Sequence, residues 1–479
     1  MPFWFVSVYK YYLLFIVVCI SNFYTFIYMI FWPLFFLFNF FYSQCPLLLT
    51  ISYNFSVHKA IMKVAIITEV STLHINGVSK TITKLLDHLI AHGHEAIVLG
   101  PQHGSYQSVK LVGTVGVPLF FYPELKLSFV SYNLVCSLIA FKPDVIHFVD
   151  PNLLGPQMLL ACKLFLPRVP IVSSYHTNIA FYASIFGFGF LYEPIWATHR
   201  LYHGSSKYVL CPSYSTKEEL IKHGFDSDNI KVWSRGVNAS LFNPNQRCFE
   251  LRSEWLRDSV PSKVKCLSET PKQHRSDSTS STDDEGVSFG LDKQLEKTIL
   301  LYVGRISWEK NLRVLVDAYL KMNHELFHLV IVGDGPARKS IKTLLTTTTN
   351  DGQSHCEASF TGYLKGEALA KAYASADIFV FPSVSETFGQ VVLEAQASGL
   401  PVVAMNAEGV KEIVKDQVSG FLVDPDNCPA DGFQQAIESI AFTGQIADFS
   451  KNALKRSGEF TWENSMNTCI NAYNDAVNQ

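Results

Sequence analysis

Two glutamates, Glu386 and Glu394, bracket the segment Ser385-Glu386-Thr387-Phe388-Gly389-Gln390-Val391-Val392-Leu393-Glu394-Ala395. Glu386 falls in the loop after the apolar run ending at Phe381, and Phe388-Gly389 marks the start of a helix that carries Glu394 one to two turns in. Free amide N–H groups at a helix start make an anion site. Carboxylates accept hydrogen bonds from vicinal hydroxyls, and amides hold phosphate oxygens. Such a set suits a sugar joined to a nucleotide. Two surface glutamates near a helix N-terminus are also mildly favourable without any function. A second cluster is Gly304-Arg305 with Glu309-Lys310-Asn311. Gly304 ends a strand, and Arg305 and Lys310 fall in the loop before a helix, where two cations can neutralise a diphosphate. Taken alone, the cluster reads better as an ordinary basic loop.

The elements that position these groups follow from short apolar runs. Val64-Ala65-Ile66-Ile67-Thr68 reads as a buried strand, the loop to Asn76-Gly77 follows, and Val78, Ile82, Leu85, Leu86, Leu89 and Ile90 recur at helical spacing before Gly93. Ala96–Leu99, Asp144–Phe148, Ile171–Tyr175 and Tyr208–Cys211 repeat the strand pattern, and a helix starts near Ser215. A second series runs through Ile299–Val303, Leu329–Val332, Ile378–Phe381 and Pro401–Ala404. Strands alternating with helices predict parallel sheets covered on both faces. The expected fold class is α/β, two Rossmann-like doubly wound domains facing across a cleft, with ligands beyond the carboxyl ends of the strands. The expected segments are 1–61, an apolar N-terminal segment; 62–257, the acceptor domain; 258–296, a disordered Ser/Thr/Asp-rich insertion; and 297–479, the donor domain, its final helix packing back on the first.

The net charge of −3 over 479 residues gives no reason to expect nucleic acid as a partner. No Asp, Glu, Lys or Arg occurs from Tyr11 to Val57, a run long enough to span a bilayer. It reads as a membrane anchor, broken at Pro33 into a hairpin, or as a non-native extension, because Met62-Lys63-Val64 opens the folded region. On the anchor reading the protein associates with a membrane and its catalytic part faces the cytosol; it is cytoplasmic if residues 1–61 are not native. Ten scattered cysteines give no zinc site or disulfide framework. Asp226-Ser227-Asp228 and Asp424-Pro425-Asp426 have Asp-x-Asp spacing but lie in turn-like stretches, so no metal is expected. His147 reads as a satisfied strand-end histidine.

The chain resembles the family-4 retaining glycosyltransferases of the GT-B fold. The resemblance is carried by Val303-Gly304-Arg305, Glu309-Lys310-Asn311, Val332-Gly333-Asp334-Gly335-Pro336, Phe360-Thr361-Gly362-Tyr363, Ala376-Asp377, Glu386 through Glu394, and Ser398-Gly399-Leu400-Pro401-Val402-Val403. Earlier matches are Asn76-Gly77-Val78, Pro143–His147, Tyr175-His176-Thr177 and Arg235-Gly236-Val237. The family implies that Arg305 and Lys310 bind the donor diphosphate, Glu394 the ribose hydroxyls and Glu386 the donor sugar. The amides of Phe388, Gly389 and Gln390 would touch sugar and phosphates, Gly77 would let backbone approach the donor, and Gly362 and Tyr363 would contact the base. Gly304 would sit beside the donor, and His176 near the reacting centre. The resemblance implies retention by front-face departure, with the leaving phosphate taking the acceptor proton, no metal, and no cofactor beyond the GDP- or UDP-linked co-substrate. Asn76, Asn238 and Ala407-Glu408-Gly409 depart from the common pattern, the last near the donor sugar.

Within the family, Tyr175–Tyr182, Val232–Val237 and Thr387–Val392 are similar to GDP-mannose-dependent α-mannosyltransferases and to sulfoquinovosyl-diacylglycerol synthases, and the former are favoured. Both imply a nucleotide-sugar donor and a lipid or glycan acceptor. The apolar stretch Phe181, Phe186, Phe188, Phe190 and Leu191 reads as core rather than as an acceptor wall. A nicotinamide oxidoreductase would need G-x-G-x-x-G, which Gly333-Asp334-Gly335-Pro336 does not complete. An epimerase would need acid–base carboxylates in the first domain, and a silent binding protein would be expected to lose Arg305, Lys310 or Glu394.

Overall fold

Val64, Ala65, Ile66 and Ile67 are all buried, so β1 (Lys63–Thr68) is covered on both faces, as a central parallel strand must be. The computed structural model describes residues 61–70, 77–258 and 297–478, apart from 115, 120–121, 152, 349–353 and 357. These residues form two compact units. The first holds the chain up to Tyr175, Leu201–Val209 and Asn471 onward; the second holds His176–Arg200 and Leu210–Ile470.

In the first unit β1 is followed by β2 (Glu95–Gly100), β3 (Gly104–Tyr106), β4 (Val109–Gly113), β5 (Gly116–Leu119), β6 (Tyr122–Ser128), β7 (Val145–Val149), β8 (Ile171–Ser174) and the start of β9 (Tyr208–Cys211). Their order across the sheet is β9-β8-β7-β1-β2-β4-β3, while β5 and β6 pair separately. Helix Gly77–Ala91 buries Ile82, Leu85, Leu86 and Leu89 from the expected stripe, together with Ser79 and Thr81, while Val78 and Ile90 are only half-buried. It ends at Gly93, whose positive φ of 73° lets His94 N–H return to Leu89 O. The core beneath the sheet includes Leu134, Leu138, Leu154 and Met158 from two further helices.

The second unit contains β10 (Ile230–Val232), β11 (Thr298–Val303), β12 (Phe327–Val332), β13 (Thr346–Thr348), β14 (Ser354–Cys356), β15 (Ala358–Gly362), β16 (Ile378–Phe381), β17 (Val402–Met405) and β18 (Gly420–Val423). Six of them make a parallel sheet in the order β15-β12-β11-β16-β17-β18. Order reverses at β11 and β16, the place where an open α/β sheet opens a crevice at its carboxyl edge. Asp377 ties helix Phe249–Asp258 to this sheet: it pairs with Arg252 and Arg247 and accepts the Ile299 N–H at 2.8 Å.

Residues 176–200 and 210–257, which the sequence reading assigns to the acceptor domain, pack in the second unit because they touch its loops directly. The apolar stretch after His176 does not become core. It forms helix Ile179–Ile185, a turn at Gly187 and a short 3-10 helix, leaving Ile185, Phe186, Phe190 and Leu191 exposed; the glycines break the single helix that would have buried one face. Among the described residues no helix is long and apolar enough to cross a membrane. The expected membrane helix therefore has no counterpart there; the charge-free run and the Ser/Thr/Asp-rich insertion lie outside the described residues.

Candidate functional site

The loop after β16 and the helix that follows it, Gln390–Ala397, bring the predicted carboxylates into place. Gly389 is the helix N-cap at φ 95°, a left-handed conformation natural to glycine. A Cβ there would also come within 3.2 Å of Val410. The first intrahelical bonds are donated by Val392 and Leu393 to Gly389 O, so the amides of Phe388, Gly389 and Gln390 precede them. This is the anion-binding arrangement anticipated from the sequence. Gly409 (φ 72°) allows the turn after β17 to lie against this start: a Cβ on it would be 2.5 Å from Phe388 N.

The two carboxylates have different surroundings. Glu394 is 5% exposed and accepts a hydrogen bond from the Tyr373 hydroxyl at 3.3 Å. Burial, and then the Glu394 charge, holds the Tyr373 phenol well above its ordinary range, so it stays a donor. Glu386 is partly exposed and pairs with Lys310, Oε1 to Nζ 2.7 Å. Lys310 closes the 3-10 turn Trp308–Lys310 after β11, with Asn311 in a left-handed conformation (φ 56°) leading into helix Leu312–Tyr319. Burial pulls the Lys310 pKa down, but Glu386, Tyr182 and Tyr302 together raise it above the ordinary value, so the ammonium keeps its charge. Gly304 and Arg305 follow β11 directly, and the Arg305 carbonyl accepts from the Tyr302 hydroxyl at 2.9 Å. Gly362 ends β15 and its carbonyl accepts the Gly333 N–H at 2.8 Å; the neighbouring Tyr363 is 55% exposed.

His176 belongs to this same unit. It is buried, edge-on to Trp233 with ring centroids 5.6 Å apart, and its carbonyl accepts from Thr387 Oγ1 at 2.7 Å. Gly77 lies in the first unit, at the head of helix Gly77–Ala91, where its carbonyl accepts from Thr81 Oγ1 at 2.9 Å. Asn76 is outside the described residues.

Several partners of the donor loop carry no sequence signal. The Tyr182 hydroxyl reaches Ser385, and Ser385 Oγ lies 3.2 Å from Lys310 Nζ. Gln390, expected to offer its amide, also uses its side chain to donate to Gly236 O at 3.1 Å. Helix Tyr214–Lys222 starts one residue earlier than expected, with Ser213 as its N-cap. Ser213 Oγ donates to Thr387 O at 2.9 Å, Glu412 accepts from Tyr214 N at 2.7 Å, and Thr216 Oγ1 donates to Glu408 at 2.6 Å. Burial lifts the Glu408 carboxyl above its usual range, although the Thr216 bond opposes this. The departure at Ala407-Glu408-Gly409 is therefore a built contact. The Asp-x-Asp pairs are turns: Asp226 caps Asp228 N at 3.1 Å, and Asp424 caps Asp426 N at 3.0 Å. His147 is satisfied on both ring nitrogens, 2.6 Å from Tyr473 Oη and 3.0 Å from Ser174 Oγ, and burial pushes its pKa down to about 3.

A pair of opposite charges thus lies beside an amide-rich helix start, with a buried carboxylate one turn on. The family models for glycosyl transferases group 1 and for glycosyltransferase family 4 match residues 283–455 and 75–241. A GDP-mannose-dependent alpha-mannosyltransferase of Mycolicibacterium smegmatis is 33% identical over 395 residues, covering 81% of this chain and 89% of that protein. The chain belongs to the family-4 glycosyltransferases. A sulfoquinovosyl transferase of Arabidopsis thaliana is 31% identical to this glycosyltransferase, and the match covers 76% of the chain and 64% of that longer protein. A solved glycosyltransferase from Rickettsia africae shares the fold at a TM-score of 0.61 and 16% identity, covering 88% of this chain and 99% of that one. The glycosyltransferase thus has the GT-B fold, with two mostly parallel, helix-covered sheets.

Proposed function

We propose that this glycosyltransferase moves an α-mannosyl group from GDP-mannose to a lipid or glycan acceptor, with retention and without a metal. The observation that carries the donor reading is the Lys310–Glu386 pair, 2.7 Å apart, beside the amides of Phe388–Gln390. Lys310 and Arg305 balance the charge that grows on the departing diphosphate, and the helix-start amides receive its oxygens. Glu386 accepts hydrogen bonds from the sugar hydroxyls, and Glu394, held by Tyr373, is oriented for the ribose. The bond from the anomeric carbon to the phosphate oxygen breaks and the bond to the acceptor oxygen forms on the same face. The acceptor proton passes to the leaving phosphate. His176 borders the reacting carbon. GDP-mannose is favoured because the mannosyltransferase relative aligns over 89% of its own length. The second reading is a UDP-sugar-dependent diacylglycerol glycosyltransferase; the Arabidopsis relative, named a sulfoquinovosyl transferase, supports it only as far as the sugar. A lipid acceptor suits the exposed Phe186, Phe190 and Leu191, and on that reading the enzyme works at the cytosolic face of a membrane.

The test incubates the full chain with labelled GDP-mannose or UDP-sugars and mixed lipids. Mannosyl transfer to lipid with an α linkage supports the proposal. Neither transfer nor donor hydrolysis with any of the sugars, or melting shifted by NAD and by neither GDP nor UDP, sinks it.

A further inference from the structure

The three protons of the Lys310 ammonium meet three oxygens: Glu386 Oε1 at 2.7 Å, Ser385 Oγ at 3.2 Å and the Tyr182 hydroxyl at 3.4 Å. We propose that Tyr182 is a further ligand of the donor diphosphate, an assignment that rests on the donor reading above.

The three contacts are unequal. The one to Glu386 is short and joins two opposite charges; those to Ser385 and Tyr182 are long and go to neutral oxygens. A diphosphate oxygen arriving at Lys310 displaces the weaker neutral partners first. The oxygen that takes the hydroxyl's place on Lys310 then lies within reach of Tyr182, whose O–H turns from Ser385 to donate to it. Tyr182 thus changes from a neighbour of the cation to a donor toward the anion, and adds no charge that would compete with Lys310.

The ring is held for this. Tyr182 sits on helix Ile179–Ile185, whose N-cap Asn178 accepts from Phe181 N at 3.0 Å. It is stacked with Phe186, centroids 6.4 Å apart and planes 19° from parallel, and meets Phe181 edge-on at 6.3 Å. The hydroxyl also reaches Ser385 O at 3.3 Å, so the phenol has a second acceptor on the loop that carries Glu386. Upstream on the same segment, the His176 carbonyl is fastened to Thr387. The stretch from His176 to Tyr182 is therefore tied at both ends to the donor loop, which fixes the distance between the hydroxyl and Lys310.

The experiment compares nucleoside diphosphate with nucleoside on the full chain. GDP and UDP binding are measured by titration calorimetry, and guanosine and uridine by competition, for the native chain and Tyr182→Phe. The phenylalanine keeps both ring contacts and loses only the hydroxyl. The expected result is a roughly tenfold weaker affinity for the diphosphate that binds the native chain, as for a lost hydrogen bond to a charged group, with nucleoside affinity unchanged. Equal loss for diphosphate and nucleoside would make Tyr182 a structural residue and overturn the assignment, as would an unchanged diphosphate affinity. A native chain that binds neither GDP nor UDP overturns the donor reading, and this assignment with it.

Discussion

The carboxyl ends of the strands are furnished differently in the two units. In the first, β7 and β8 end in a neutral chain of hydrogen bonds, with His147 joining Ser174 to Tyr473 and kept uncharged by burial. In the second, β11 and β16 end in charge, with Lys310 facing Glu386 across loops that remain partly open to solvent. Both arrangements satisfy their polar groups. A neutral network needs no further partner, whereas a partly buried ion pair at a loop can exchange its partner for a ligand of the same sign. One set of strand ends holds the unit together, and the other is available for chemistry.

Breaking the charged end has the largest expected effect. Lys310→Ala and Glu386→Ala should each lower transfer by about a hundredfold or more, the scale for losing a preorganised electrostatic contact, in an assay of labelled hexose moved to acceptor. Near-native turnover in both variants would erase the contrast between the units. Breaking the neutral end should act on stability instead. His147→Phe leaves the Tyr473 and Ser174 hydroxyls without their ring partner and should cost about 2 kcal/mol in denaturant unfolding, with donor affinity intact. The same histidine has a pH signature. Its folded pKa lies below its unfolded value of about 6.5, so the native state binds fewer protons between that value and about 3. Stability contributed there is complete above about pH 6.5 and lost as pH falls. His147→Phe should flatten that part of the acid limb.

Gly389→Ala tests the helix start with a smaller change. A non-glycine residue at φ 95° is strained by about 1–3 kcal/mol, so KM for the nucleotide sugar should rise several-fold as the amides shift. Glu408→Gln should give the smallest effect. The raised pKa of Glu408 means the native state holds its proton more tightly than the unfolded chain does. Stability is therefore lost as pH rises from the ordinary carboxylate range through the raised value. The glutamine variant should lack that slope in thermal melts from acid to neutral pH; an unchanged slope would place the titration elsewhere.

Half of the strands were legible because each is a short unbroken apolar run, and the parallel α/β class followed from their alternation with helices. β3, β4, β5, β6, β10, β13, β14, β15 and β18 were not, because most have only three to five residues and their runs are polar, interrupted by charge or bounded by glycine. The site residues were legible as motifs, yet their pairing was not. Lys310 and Glu386 were assigned to diphosphate and sugar separately, and nothing in a 76-residue separation says that they meet. Tyr182 was hidden among other aromatics, since phenol and phenyl rings serve equally in an apolar pattern. The exposed Phe186 and Phe190 were misjudged as core because hydrophobicity alone does not say which side of a glycine turn faces water.

The bond between His147 and Tyr473 spans 326 positions of chain. On the ribosome, β7 is made long before the tyrosine that completes its polar chain. At about 5–20 residues per second, the first unit waits many seconds with a buried histidine short of one partner, while the whole second unit is synthesised. Its final locking is therefore a late event in biogenesis, and the nascent chain in that interval is the form most exposed to chaperones and proteases.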